Sequence, residues 1–262
     1  MNVPGPIALI GGGEHTPPMT PVDRRLLDLV GAPRPRVVVF PQAPSHRQLA
    51  RTVALARNHW TRLGASFRIA MPEHDMNEAL DAVADADIVV IPGGHPDKLI
   101  AGLGASTLTD LMIGRWIDGL AIAGSSAGAM GLFEWRIKLY PPNPLRLLPG
   151  LGALDGYVAA PHFDRFRAGR WAHRVLDSFA GLHVLGLDEQ TALVGHNGDF
   201  DVLGLGSVTI VDDRGTAEYP NGSWVSLDLL TGSRSRLDGL PKEPTSGRPE
   251  LTLVGASGGG DS

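Results

Sequence analysis

Short runs of uninterrupted apolar residues alternate with segments whose apolar positions recur every three or four residues, and this rhythm fills the first half of the chain. Ile7–Ile10 closes on Gly11-Gly12-Gly13, Arg36–Phe40 and Phe67–Ile69 follow, Ala86–Ile91 closes on Pro92-Gly93-Gly94, and Leu120–Ala123 runs into Gly124. Between them the spacing predicts helices. Thr20-Pro21 supplies a cap and an N1 proline for a helix stopped at Gly31. Ser45 caps a second to about Leu63, with Leu49, Val53, Ala56 and Trp60 on one face, and Gly64 closes it. A short helix is expected over 77–84 and a helix-rich stretch over 98–118. Strands that are apolar throughout are covered on both faces, which is the signature of a parallel sheet. The first 130 residues therefore predict an open, mostly parallel α/β sheet with helices on both faces. Ligands in such sheets bind beyond the carboxyl ends of the strands. Gly11–Gly13, Gly93–Gly94 and the segment after Ala123 all fall there, so one shared crevice is expected.

The second half reads differently. From Phe133 to Gly156 the pattern dissolves into prolines (Pro141, Pro142, Pro144, Pro149), and loops are expected. Tyr157–Ala160 is a short strand, and Arg165 to Phe179 a helix with Trp171, Val175 and Phe179 in step. Trp60 and Trp171 read as helix-face core residues. A β-rich C-terminal portion follows, with strands at 184–187, 191–194, 202–205, 208–211 and 224–229, and turn signals at Asp212-Asp213-Arg214-Gly215 and Pro220-Asn221-Gly222. After about Gly239 glycine, proline, serine and charge take over. One domain over 1–240 and a disordered tail over 241–262 are the expectation.

Composition narrows the class. The 262 residues carry a net charge of −5, with 43% hydrophobic and 19% charged residues, which describes an ordinary globular protein. Without a basic field, nucleic acid and anionic membranes are poor partners. No apolar run nears the roughly 20 residues that span a bilayer, and the first residues lack a basic signal-peptide region, so a cytoplasmic protein is expected. The absence of cysteine excludes a disulfide scaffold and a thiol nucleophile. Metal-ligand spacing is missing, since Glu73-His74-Asp75 alone is a weak cluster, and Gly11–Gly13 matches no nucleotide-binding motif. No metal and no cofactor are expected.

The chemistry concentrates at Gly124-Ser125-Ser126-Ala127-Gly128, a G-x-S-x-G pattern directly after an apolar strand. Such a pattern puts a serine on a sharp strand-to-helix turn where flanking side chains would clash. Only Ser126 has the central spacing. A serine needs a base to take its proton, and the base needs a third group to orient it. His162, fixed after a short strand and Pro161, is the candidate base. Asp188 and Glu189, between two apolar runs, are candidate orienting acids, and Asp164 is close in sequence. The N–H groups of Gly93-Gly94 and of Ala127 are candidate oxyanion donors.

Taken together, Leu9-Ile-Gly-Gly-Gly-Glu14, Ile91-Pro-Gly-Gly94, Ala123–Ala129, Pro149-Gly-Leu-Gly152, Pro161–Arg165 and Gly186–Leu193 resemble the blocks of the S51 serine peptidase family, in the family's order. That family includes dipeptidase E and cyanophycinase, and its cyanophycinase-like branch is the nearest likeness. The resemblance implies a class I glutamine-amidotransferase-like, three-layer fold. It implies Ser126 as nucleophile, His162 as general base, Glu189 as the orienting acid, and Gly94 and Ala127 as oxyanion donors. Gly93, His95, Arg165 and Arg167 are expected to bind a peptide or small amide substrate of acidic or aspartyl character, and the relatives imply a homodimer. Two departures concern substrate. His95-Pro96 stands where the family has a small polar residue and cyanophycinases a glutamine, and Pro161 replaces a glutamine before the histidine. Both argue against cyanophycin itself. Two other readings compete: an α/β-hydrolase, whose chain order requires Ser126, Asp188 and His196, and an inactive binding protein on the same fold.

Overall fold

The computed structural model describes residues 3–104, 106–138, 145–165, 169–179 and 181–229. In chain order the elements are β1 (Ile7–Ile10), α1 (Thr20–Val30), β2 (Arg36–Val39), α2 (His46–Arg62), β3 (Ser66–Ile69), α3 (Met76–Asp85) and β4 (Ile88–Ile91). There follow α4 (Pro96–Leu103), α5 (Thr107–Ile117), β5 (Ala121–Ser125), α6 (Ala127–Leu132), β6 (Trp135–Lys138), β7 (Arg146–Pro149) and β8 (Tyr157–Pro161). The chain continues through α7 (Gly169–Ser178), β9 (His183–Leu187), β10 (Thr191–His196), β11 (Asp199–Gly204), β12 (Ser207–Asp212), β13 (Gly215–Pro220) and β14 (Trp224–Ser226).

Eight strands form the main sheet in the order β14-β11-β10-β1-β5-β4-β2-β3. The five strands from β1 to β3 in that order are parallel, as their apolar composition predicts, and β10, β11 and β14 extend the sheet antiparallel. Alternate residues of each strand feed opposite faces. Ala8, Ile10, Val37, Val39, Ile88 and Val90 pack beneath α1 and α2. Ile7, Leu9, Val38, Val89, Ile91 and Ile122 pack beneath the helices of the other face. A second sheet, β13-β12-β9-β8, joins that second core through Ala159, Leu185, Leu187 and Val208. Its outer face is covered by Ala172 and Val175 of α7.

Local chemistry accounts for the boundaries. Ser45 and Gln48 close a capping box on α2, Asp75 caps α3 by accepting from the Glu78 N–H at 3.0 Å, and Gly31 ends α1 in the left-handed region. Three expectations are sharpened or corrected. The stretch over 98–118 is two helices, α4 and α5, with Gly104 after the first and Ser106 capping the second at 3.3 Å from the Thr109 N–H. The proline-rich stretch after Phe133 contains an antiparallel ribbon, β6 paired with β7, because Pro149 sits at a strand end where its missing N–H costs no ladder bond. Between the two turn signals at 212–215 and 220–222, where no strand is expected, the segment Gly215–Pro220 is strand β13. The tail over 241–262 lies outside the described residues.

Candidate active site

The two sheets meet over the carboxyl end of β1, and that junction assembles the site. β8 and β9 run parallel with Pro161 opposite Leu187, so the residues just beyond them, His162 and Asp188-Glu189, emerge side by side. The chain then crosses from β9 in the second sheet to β10 in the main sheet, beside β1. Residues 188–190 are thus the crossing between sheets rather than a hairpin. β5 delivers Ser126 from the other side.

Ser126 has φ 48° and ψ −107°, a backbone conformation that L-residues avoid. Its N–H donates to the Ile10 carbonyl at 2.9 Å, and its carbonyl accepts from the Met130 N–H at 3.0 Å. Both glycines of the motif are required by contact. A β-carbon on Gly124 would lie 2.8 Å from the Gly128 backbone, and one on Gly128 would collide with the Ile91 carbonyl oxygen. The turn is therefore the tight elbow its spacing predicts.

The Ser126 hydroxyl lies 2.9 Å from His162 Nε2, and His162 Nδ1 bonds the Glu189 carboxylate. His162 also has positive φ, 54°, and is pinned by its N–H donating to the Gly11 carbonyl at 3.1 Å. Gln190, at φ 54°, is held likewise by its N–H to the Gly12 carbonyl at 3.2 Å. Three of the five non-glycine residues with positive φ among the described residues are thus Ser126, His162 and Gln190. Each costs about 1–3 kcal/mol, which the surrounding bonds must offset, and such strain clusters where geometry serves function. Gly12 lies against the histidine and its acid: a β-carbon there would sit 2.8 Å from His162 Nδ1 and 2.7 Å from a Glu189 oxygen.

The neighbouring acids separate cleanly. Asp164 accepts from the Glu189 backbone N–H at 2.8 Å and so holds the residue that holds the histidine. Asp188 turns the other way, accepting from the Ser207 N–H at 2.9 Å, and burial pushes its carboxyl above its ordinary range. Among the three acids, Glu189 is the one on His162. His196 lies at the far end of β10, beside the amino end of β1, where Ile7 pairs with Gly195. The constellation Ser126, Asp188, His196 is therefore not assembled. A hollow of about 370 Å³ beside His196, Phe200 and Trp116 lies at that same far end of the sheet.

The remaining candidates sit on the rim. Gly94 packs against the Ala43 carbonyl, and the exposed His95 caps α4 with its N–H donating to that carbonyl at 2.8 Å. Ala127 opens α6 directly after the serine. The Arg165 guanidinium is 62% exposed and 3.6 Å from Glu189. Arg167 lies outside the described residues. The Gly93 N–H is already used, donating to Glu14 at 2.8 Å. Glu14 also accepts from the Ser125 hydroxyl at 2.7 Å. Sequence reasoning gave neither contact, and the only signal was the acid directly after Gly11–Gly13.

Trp60 is buried core, as its helix face predicts, but its Nε1 donates to His15 Nε2 at 3.2 Å. Beside them His59 Nε2 pairs with Asp23 at 2.7 Å, both about 4% exposed. Among the described residues, no group of three or more His, Asp or Glu is arranged to hold a metal ion, and no helix is long and apolar enough to cross a membrane.

Against this geometry the comparisons decide the family. The family model for peptidase family S51 matches residues 7–203. The chain belongs to peptidase family S51. As a member of S51 it is a peptidase. It is 26% identical over 181 residues to an uncharacterized peptidase, YgaJ, of Bacillus subtilis (strain 168), covering 66% of this chain and 74% of that protein. The crystal structure of a peptidase from an acI-B1 Actinobacterium superposes with a TM-score of 0.74 at 24% identity, over 86% of this chain and 98% of the other. A structure from Listeria monocytogenes EGD-e, named for peptidase E, gives 0.58 at 13% identity, over 77% and 99%. Both share the fold.

Proposed function

We propose that this S51 peptidase is a serine-type enzyme, cleaving peptide or isopeptide bonds of acidic or aspartyl substrates through an acyl-enzyme on Ser126. The observation that carries the reading is the unbroken chain from Ser126 Oγ through His162 to Glu189. His162 Nε2 takes the hydroxyl proton as Oγ attacks the scissile carbonyl, and Glu189 steadies the imidazolium that forms. The tetrahedral oxyanion rests on the Gly94 and Ala127 N–H groups. His162 then protonates the leaving amine, and a water deprotonated by His162 resolves the acyl-enzyme.

An acidic substrate is favoured by the rim. Arg165 is exposed beside Glu189, and His95 is exposed on the Gly94 side. A guanidinium receives a carboxylate bidentately. The cytoplasm is the compartment we propose. The test is a hydrolysis screen of aspartyl dipeptides, a β-aspartyl-arginine polymer and other acidic peptides against neutral controls, with Ser126→Ala alongside. Cleavage of an acidic class that vanishes in Ser126→Ala supports the reading. Equal cleavage of neutral peptides overturns the substrate class, and cleavage surviving in Ser126→Ala overturns the mechanism.

A further inference from the structure

We propose that Glu14 is a positioning residue that locks the Gly93–Gly94 turn against the Ser126 elbow, a role that rests on Ser126 being the nucleophile. One carboxylate oxygen accepts the Gly93 N–H at 2.8 Å and the other accepts the Ser125 hydroxyl at 2.7 Å. The side chain thereby bridges the carboxyl ends of three parallel strands: β1, which leads into its own turn, β4 and β5. Each partner is one residue from a group assigned to the chemistry. Gly93 precedes the oxyanion donor Gly94, and Ser125 precedes Ser126. The three parts are in contact, since a β-carbon on Gly93 would lie 3.1 Å from the Ser126 β-carbon and 3.3 Å from Glu14 Oε1.

A carboxylate suits this position because it has two acceptor oxygens and no donor of its own, so it satisfies two N–H or O–H groups at once. Paired glycines are the most pliable backbone on the rim. Fixing the Gly93 N–H fixes the peptide plane before Gly93 and limits how far the next N–H, that of Gly94, can swing. Buried Ser125, 1% exposed, has Glu14 as its acceptor, so the elbow is held by the same group. Glu14 is itself held from behind. His15 adopts φ 62° and its buried ring accepts from Trp60 Nε1 at 3.2 Å, while the Thr16 hydroxyl donates to the Gly13 carbonyl at 2.5 Å. The brace is anchored in the layer of α1 and α2.

The full-length protein is treated with a fluorophosphonate, and the maximal labelling rate and half-saturating concentration are measured together with the melting temperature. Glu14→Ala is expected to lower the maximal rate about 30- to 100-fold, short of the ~100- to 1,000-fold cost of deleting an oxyanion donor outright. The half-saturating concentration should stay within about twofold, because the brace touches no substrate atom. Glu14→Gln keeps an acceptor for Gly93 and turns its amide N–H toward Ser125 Oγ, so it should recover about tenfold of that loss. A folded Glu14→Ala that labels at the wild-type maximal rate overturns the proposal, whatever its melting temperature. Should Glu14→Ala fail to fold, Glu14→Asp carries the test, since its shorter arm cannot span both donors; an unchanged rate there is equally fatal. Labelling that persists in Ser126→Ala is a failure of the serine reading. Labelling lost in Ser126→Ala but unchanged in Glu14→Ala is a failure of the brace alone.

Discussion

Two histidine–carboxylate pairs stand on one fold. His162 with Glu189 lies beyond the strand ends, with side chains 29% and 22% exposed. His59 with Asp23 lies inside the α1–α2 layer, with both side chains 4% exposed. The pairing chemistry is the same, and what separates them is the third partner and access. His162 presents its second nitrogen to a serine on a half-buried elbow. Among the described residues, the rings beside His59 are those of His15 and Trp60. A buried pair of that kind holds two helices together, whereas an accessible one with a serine can move a proton. The lesson is that a histidine–acid contact identifies a site only with its outer ligand.

That contrast breaks if the exposed pair is dispensable for turnover. His162→Ala should lower kcat on a cleaved peptide by about 10⁴- to 10⁶-fold, the scale at which triad bases act. Glu189→Gln should cost about 10³- to 10⁴-fold, since the amide no longer fixes the imidazole tautomer. Asp188→Asn, whose carboxyl faces Ser207 and not His162, should stay within about threefold on the same assay. An Asp188 effect as large as that of Glu189 would reassign the acid.

The buried pair should show the opposite profile. Asp23→Ala leaves His59 without its partner and should cost about 2–4 kcal/mol of unfolding free energy by urea titration. Its kcat in the folded protein should change little. A large kcat loss at unchanged stability would erase the distinction between the two pairs.

The smallest expected effect is a pH dependence. Burial holds the His15 imidazole below its ordinary value of 6.5, outweighing the opposite pull of Asp23 and Glu14 and aided by His59. The accepted Trp60 N–H likewise requires Nε2 to be unprotonated. With the folded pKa depressed, the unfolded chain binds the proton more readily, so this group withdraws stability as pH falls below about 6.5. Replacing His15 with Gln, whose carbonyl can still accept from Trp60, should flatten the fall in melting temperature between pH 7 and 5.5. An identical slope in His15→Gln would remove His15 from the account.

Much of this was legible in the chain because it depends on local rules. Ile7–Ile10, Ile88–Ile91 and Ala121–Ala123 are apolar at every position, so parallel burial follows from them directly. The elbow was legible because Gly124 and Gly128 are required by contacts within a few residues or across to one strand. The choice of Glu189 over Asp164 and Asp188 came from the family resemblance and not from spacing, because it turns on where β9 leaves one sheet for another. Glu14 and the His15–Trp60 bond were not legible either. Their partners lie 79, 111 and 45 residues away, and nothing in a spacing records which distant donor a carboxylate or ring will meet.

The most direct test of the central claim is mass mapping of the fluorophosphonate adduct on the wild-type chain, Ser125→Ala and Ser126→Ala. The account predicts one adduct, on Ser126, retained in Ser125→Ala and absent from a folded Ser126→Ala. An adduct on Ser125, or one that survives in Ser126→Ala, would contradict it.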